Sequence, residues 1–403
     1  MKHWQMPFRY LLTLLLAFAL TACAAPKPIP TRTMGFETGM AALGDNLAGQ
    51  LEKSSLGNVL NKVIVNPLTK RGSLKKVVID PFIDTDSGYP VKINPRINAI
   101  MSAEMAKRFA VTGQMAPENL EVSEYVLCGM VSLEELSENR GKAYKVYAAV
   151  FEKSSGVVLA SAELYIDKFE TAPMDIYRDS PVYLKGQNYE EHVSSVKKKP
   201  NEIVEKGYHD KLEMKSMRVK GDTLYDDKEF GKSLDYYNKA ATISGSPELE
   251  ILSGQFTLMV HQGRIDQAEP VYGQLLKASI AETGGIATKI TFSPNAKQPL
   301  ESKSKLHTVY VRQAALLLAS LPECKVTIIG HSSRTGTAEY NDKLSQQRAA
   351  SIQKMMASFA PGAGPRVQVI GRGFRENIVG TGADDVTDQI DRRVEFKFSS
   401  CGR

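Results

Sequence analysis

The side chains best placed for binding chemistry lie in the stretch 330–352, GHSSRTGTAEYNDKLSQQRAASI. An apolar strand, Val326–Gly330, runs into it, a polar turn follows, and the spacing predicts a helix from about Glu339. On that helix Asn341, Leu344, Ser345, Arg348 and Ile352 recur three or four apart, so they share one face. Arg348 therefore falls between Leu344 and Ile352, on the stripe that meets the core. A guanidinium does not deprotonate, and burying it without a partner is costly. Two partners stand open at this point: a carboxylate of the protein, or the carboxylate of a ligand. Covalent chemistry finds no support. Gly330-His-Ser-Ser-Arg334 lacks the second glycine of a nucleophile elbow. Gly371-Arg-Gly373-Phe-Arg-Glu376 lacks the third glycine of a dinucleotide turn. Six histidines stand singly, without zinc spacing, and His331 reads as a structural residue at a strand end. The sequence predicts no catalytic residue, no metal, no cofactor and no enzyme.

The same stretch resembles the signature of the OmpA-like, peptidoglycan-associating domain. The family's elements stand here as Gly330-His331, Ser332-Ser333, Gly336, Tyr340-Asn341, Leu344-Ser345 and Arg348-Ala349. Downstream, Gly371-Arg-Gly373 and Asp391-Arg392-Arg393-Val394-Glu395 resemble its Gly-x-Gly turn and its closing Asn-Arg-Arg-Val-Glu. The resemblance covers 288–403 and implies a βαβαββ domain. It also implies that a diaminopimelate residue of the peptidoglycan stem peptide is held, its carboxylate by Arg348 and its ammonium by a turn aspartate. Three positions depart from the family: Ser333 replaces the turn Asp, Asp391 replaces the Asn before the arginines, and Ser293 follows Phe292 where an Asp is common. The residues expected at the site are Ser333, Asn341, Leu344, Arg348, Asp391 and Arg393. If the strands pair as in the resembling fold, Cys324 and Cys401 become neighbours and can form a disulfide, with Cys128 a buried thiol.

Residues 1–22 read as a signal segment, with Lys2 and Arg9 ahead of a short apolar run, Leu11–Leu20. Leu20-Thr-Ala-Cys23 resembles a bacterial lipobox. That resemblance implies cleavage before Cys23 and its lipidation, and Ala24 in the next position implies the outer membrane, with the chain facing the periplasm. Acyl chains anchor at ~0.8 kcal/mol per buried CH₂. No later run is long enough to cross a bilayer as a helix. Composition is that of a globular protein, 42% hydrophobic and 24% charged, with a net charge of +6. Basic and acidic residues alternate, which argues against a nucleic-acid partner.

Residues 23–72 read as a lipidated, proline-rich tether with a short helix over Met40–Leu51. Residues 73–168 read as a small α+β domain: a strand at Val77–Ile83, a helix at Arg96–Phe109, a strand at Ser123–Leu133 and a hairpin around Lys153–Gly156. Its strand order weakly resembles periplasmic assembly lipoproteins of the FlgO, CsgG and LpoB kinds, which bind other proteins. Residues 169–218 read as a polar connector, a loop followed by a solvated helix. In 219–281, Phe230, Ser233, Tyr237 and Ala240 recur as Ile265, Ala268, Tyr272 and Leu275. This 35-residue period resembles tetratricopeptide (TPR) repeats. Two such repeats bury too little on their own, so they are expected to pack on a neighbouring domain or an added helix. Ile290–Phe292 then opens the C-terminal domain as a strand.

The chain is thus expected to be an α+β multidomain protein. The leading expectation is a lipid-anchored outer-membrane protein that binds the peptidoglycan stem peptide through its C-terminal domain. Its TPR-like and N-terminal domains then present a body to other envelope proteins. The alternative is a docking component of a secretion, pilus or flagellar assembly that holds peptidoglycan weakly or not at all.

Overall fold

The computed structural model describes residues 32–65, 75–136, 141–183, 185–377, 382 and 387–401. The signal segment and Cys23 lie outside them. Among the described residues no helix is long and apolar enough to cross a membrane. The chain is a mixed α+β protein built around two sheets.

The first sheet grows from apolar strands that bury both faces. Its strands are β1 (Lys76–Ile79), β2 (Ile83–Asp84), β3 (Ala110–Gln114), β4 (Tyr125–Glu135), β5 (Lys142–Glu152) and β6 (Val158–Ile166). The order is β3-β1-β4-β5-β6, with β2 alongside β4. β1 runs parallel to β3 and β4, and β4, β5 and β6 form an antiparallel meander. Helix α1 (Phe36–Val65) covers one face together with α2 (Asn94–Met105), burying Met40, Leu43 and Leu47 against Val146 and Leu164. α1 extends well past the short helix expected at Met40–Leu51. The chain enters beside the last strand, where Met34 bridges to Ile166.

A short helix, α3 (Pro117–Glu121), precedes β4. After the sheet come α4 (Asp175–Asp179), the two-residue strand β7 (Val182–Tyr183), α5 (Gln187–Lys197), α6 (Lys206–Asp210) and α7 (Leu212–Asp226). The expected connector is therefore a structural layer. Val196, Val204, Tyr208, Leu212 and Val219 pack on Val126, Cys128 and Phe151, the second face of the sheet. Charged positions on these helices gave the segment a solvated look in sequence, but several of those charges are buried and paired, as described below.

Helices α7, α8 (Phe230–Ser244), α9 (Leu249–His261) and α10 (Ile265–Thr283) pack successively. Tyr237, fully buried, lies between α7 and α9, at positions where a Cβ on Gly221 or Gly254 would collide with its ring. Ser233 donates to the Gly221 carbonyl at 2.7 Å. The array does not end free. Tyr272 of α10 meets Tyr310 of α11 (Ser304–Ser320) at 4.8 Å between ring centres, and Arg312 pairs with Glu269.

The second sheet comprises β7, β8 (Gly285–Thr288), β9 (Lys325–Gly330), β10 (Val367–Gly371) and β11 (Val394–Ser399), in the order β10-β9-β11-β8-β7. α11 and α12 (Ala338–Phe359) cover it. The opening strand is β8, earlier than the expected Ile290–Phe292, whose buried side chains instead fill the core in extended chain. β7 pairs with β8 across the whole helical array, Val182 opposite Thr288. Helices α5–α10 are thus an excursion between two neighbouring strands of one sheet.

β9 and β11 pair antiparallel with Lys325 opposite Ser399, which brings Cys324 and Cys401 together as a disulfide. Cys128 is buried and free. The bridge spans a sequence separation of 77 residues, which the chain-entropy model values at about 4 kcal/mol. Peptide mapping without reductant should recover the 324–401 pair with Cys128 alkylatable only after unfolding. Cys401→Ser should lower the urea midpoint accordingly; recovery of Cys128 in a disulfide would contradict the pairing.

Candidate functional site

α12 is held against the sheet by two glycines. A Cβ at Gly330, the end of β9, would lie 2.1 Å from the Ser345 carbonyl oxygen, and one at Gly371 would lie 2.5 Å from the Gln346 nitrogen. Only glycine permits this approach. Ser345 completes the contact, its hydroxyl accepting from the Gly373 amide at 2.9 Å. Thr337 caps the helix by accepting from the Tyr340 amide at 3.2 Å. The predicted face is the observed one: Asn341, Leu344, Ser345, Arg348 and Ile352 are all buried.

Arg348 is 0% exposed. Its Nε donates to the Ala296 carbonyl at 2.9 Å, Nη1 to the His331 carbonyl at 3.1 Å and Nη2 to the Ser293 carbonyl at 3.2 Å. The guanidinium carbon also stands 5.1 Å from the centre of the Phe292 ring. The arginine therefore ties the loop after Phe292 to the end of β9. Three backbone carbonyls thus lie around the guanidinium, contacts that the sequence reading did not anticipate.

The other expected residues divide. Asn341 donates through Nδ2 to the Thr335 and Thr337 carbonyls at 2.9 and 3.0 Å and so fixes the turn. Arg393 begins the partner strand, and its carbonyl accepts from the His331 amide at 3.0 Å. Its guanidinium binds Glu395 at 2.6 Å and the Glu376 carbonyl at 3.0 Å, while among the described residues Nη1 is buried without a hydrogen-bond partner. Ser333, Leu344 and Asp391 are buried as well. All six expected residues thus lie inside the domain around the 331–337 turn and the start of β11, not on an open surface.

Two residues absent from the expected set share this region. Among the described residues, His331 has both ring nitrogens buried without a hydrogen-bond partner, and the Ser332 hydroxyl is likewise buried without one. Burial, with Arg393 and Arg372 nearby, lowers the His331 pKa to about 3. The ring is neutral, so its 3.5 Å approach to Glu395 is not an ion pair. Glu395, which neutralises Arg393, was legible as the last member of the Asp391–Glu395 motif. The carbonyls around Arg348 carry no sequence signal, since any residue supplies one.

Residues 290–390 match the OmpA family. The C-terminal domain is an OmpA family domain. A comparison with curated proteins returns no match. Similar solved structures include the peptidoglycan-associated lipoprotein from Burkholderia pseudomallei, at 20% identity over 27% of this chain and 88% of that one, TM-score 0.25. The C-terminal domain of Helicobacter pylori MotB is similar at 19% identity over 28% and 83%, TM-score 0.23. The OmpA-like domain of FopA1 from Francisella tularensis is similar at 20% identity over 28% and 71%, TM-score 0.23.

Two consequences of burial can be measured, one at Arg348 of the OmpA-like domain and one at histidines across the protein. Arg348→Ala removes three donors from buried carbonyls, so it should destabilise the protein by about 3–5 kcal/mol in urea unfolding. Arg348→Lys should recover little, because an ammonium cannot reach three divergent carbonyls; full stability in the Lys variant would refute the tie. The second concerns acid. His192 and His307 are also buried, and burial lowers their pKa values to about 3 and about 4. Each folded pKa lies below the ordinary value of ~6.5, so each histidine favours unfolding as pH falls from 6.5 towards the folded value. By linkage each costs about 2 kcal/mol at pH 5. Their imidazole NMR signals should stay in the neutral form down to pH 5; a midpoint near 6.5 for His331 would refute its burial.

Proposed function

We propose that the protein is a non-enzymatic peptidoglycan-binding component of the bacterial envelope. The observation that carries this reading is the OmpA family domain at 290–390. In finer terms, the domain takes the diaminopimelate part of a stem peptide at the 331–337 turn, beside Arg348, Arg393 and Asp391. Cys23, as a lipidated residue, anchors the chain to the outer membrane from the periplasmic side. The first sheet and the TPR-like helices present a surface to other envelope proteins.

Ser333 sets the strength of the interaction. Where the resembling family offers a carboxylate to the ligand ammonium, this chain offers a hydroxyl. Hydrogen bonds to charged groups contribute ~1.5–3 kcal/mol against ~1 for neutral ones, which amounts to about one to two powers of ten in affinity. The carbonyl cage of Arg348 supports a second reading, in which that arginine serves the fold and the domain docks onto an envelope assembly without holding peptidoglycan.

Co-sedimentation with purified sacculi separates the two. The chain from Ala24 onward, which keeps β7 with β8, should bind weakly at low salt, and Ser333→Asp should tighten binding about tenfold. A free diaminopimelate-containing peptide should compete. Absence of sedimentation at low salt in both proteins would favour the docking reading.

A further inference from the structure

A cavity of about 60 Å³ lies where the first sheet, the α5–α7 layer and α9 meet, lined by none of the residues of the OmpA-like site. Its walls include the rings of Tyr177, Tyr189 and Tyr208 and the side chains of Lys215, Arg218 and Glu250. The tyrosine hydroxyls are hydrogen-bonded: Tyr189 donates to the Thr85 carbonyl, Tyr208 to Asp80 and Tyr177 to Asp222. The charged side chains on its wall are of both signs, Lys211, Lys215 and Arg218 together with Glu191 and Glu250, and among the described residues Glu191 Oε2 is buried without a hydrogen-bond partner.

The positive charge is a built feature. Lys215 and Arg218 stand three apart on one face of α7. Lys215 pairs with the fully buried Asp80 at 2.7 Å and donates to His192 Nδ1 at 2.8 Å. His192 in turn donates through Nε2 to the Gly129 carbonyl at 3.1 Å, which fixes Nδ1 as an acceptor. Arg218 is 8% exposed and donates through Nη1 alone, to Tyr177 and to Asp222. Among the described residues its Nε and Nη2 make no hydrogen bond, and the side chain lines the cavity. A guanidinium edge with two adjacent donors matches the two oxygens of a carboxylate. Glu191 and Glu250 line the same cavity, and Asn188 donates to Glu250 at 2.7 Å. Glu250 therefore opposes any anion that approaches Arg218.

We propose that this cavity binds a carboxylate group, received by the free edge of Arg218 beside Lys215 and packed among the tyrosine rings. A volume of about 60 Å³ holds a few waters or a group of acetate size. The carboxylate can belong to a small free acid or to the end of a peptide from a protein partner, and the chemistry at Arg218 is the same.

Calorimetric titration of the chain from Ala24 onward tests this. Acetate and a tripeptide with a free C-terminus are the ligands; methylammonium and the C-terminally amidated tripeptide are the controls. Acetate is expected to bind, and neither control is. Tighter binding of the free tripeptide than of acetate would assign the site to peptide ends, and binding of acetate alone to a small acid. Arg218→Gln should weaken binding at least tenfold. That variant also loses the Asp222 pair, so Glu250→Gln supplies an independent arm: removing the opposing charge should tighten acetate binding about three- to tenfold. The proposal is overturned if acetate fails to bind both the wild type and Glu250→Gln. It is also overturned if folded Arg218→Gln binds as the wild type does, or if methylammonium binds in place of acetate.

Discussion

The C-terminal domain depends on one permanently charged side chain placed where water does not reach. Arg348 could not sit on the inner face of α12 unless its donors were satisfied, because an unpaired buried guanidinium costs several kcal/mol. The carbonyls of Ser293, Ala296 and His331 meet part of that demand. Those carbonyls belong to segments far apart in sequence, so the arginine also sets where the segments stand. The glycines at 330 and 371 act earlier in the same chain of causes. They allow the helix close enough to the sheet for the guanidinium to reach all three. The 331–337 turn takes its shape from these contacts and from Asn341 beneath it.

The middle of the chain obeys a different constraint. Four helices in two hairpins bury too little apolar surface to stand alone. Here α10 shares its inner face with α11, through Tyr272, Tyr310 and Phe256, and one continuous core runs from the helices into the second sheet. The strand pair β7–β8 closes the excursion at its base. The helical array and the OmpA-like domain are thereby joined by packed contacts.

The sequence made some of this plain and concealed the rest for identifiable reasons. The inner face of α12 followed from residues recurring three or four apart, because helix geometry is local. The 324–401 disulfide followed from a resemblance that placed two strand ends together. The layer formed by α5–α7 was not legible. Lys211, Lys215 and Arg218 look like a solvated face, and the carboxylates that neutralise Lys215 and Arg218 include Asp80, more than a hundred residues upstream of either. Hydropathy counts a charge as exposed unless its partner is known, and here the partner is set by tertiary structure. β7 was missed because two residues carry no periodicity. Arg348 lay between these cases: its burial was readable from its neighbours, but the three backbone carbonyls it contacts have no sequence signature.

The cysteines bring the two halves of the molecule under one chemical condition. A disulfide between Cys324 and Cys401 persists in an oxidising compartment, and the free Cys128 shares that compartment. A thiol attacks a disulfide only as thiolate and only with access to it. Cys128 has neither. It is fully buried in the first sheet, and burial, with the Asp80 charge nearby, pushes its pKa up to about 12. Its hydrogen bond is to the Ala149 carbonyl across the β4–β5 pair. The folded first domain therefore protects the bridge of the last one, and the risk of exchange is confined to the period before the first sheet closes.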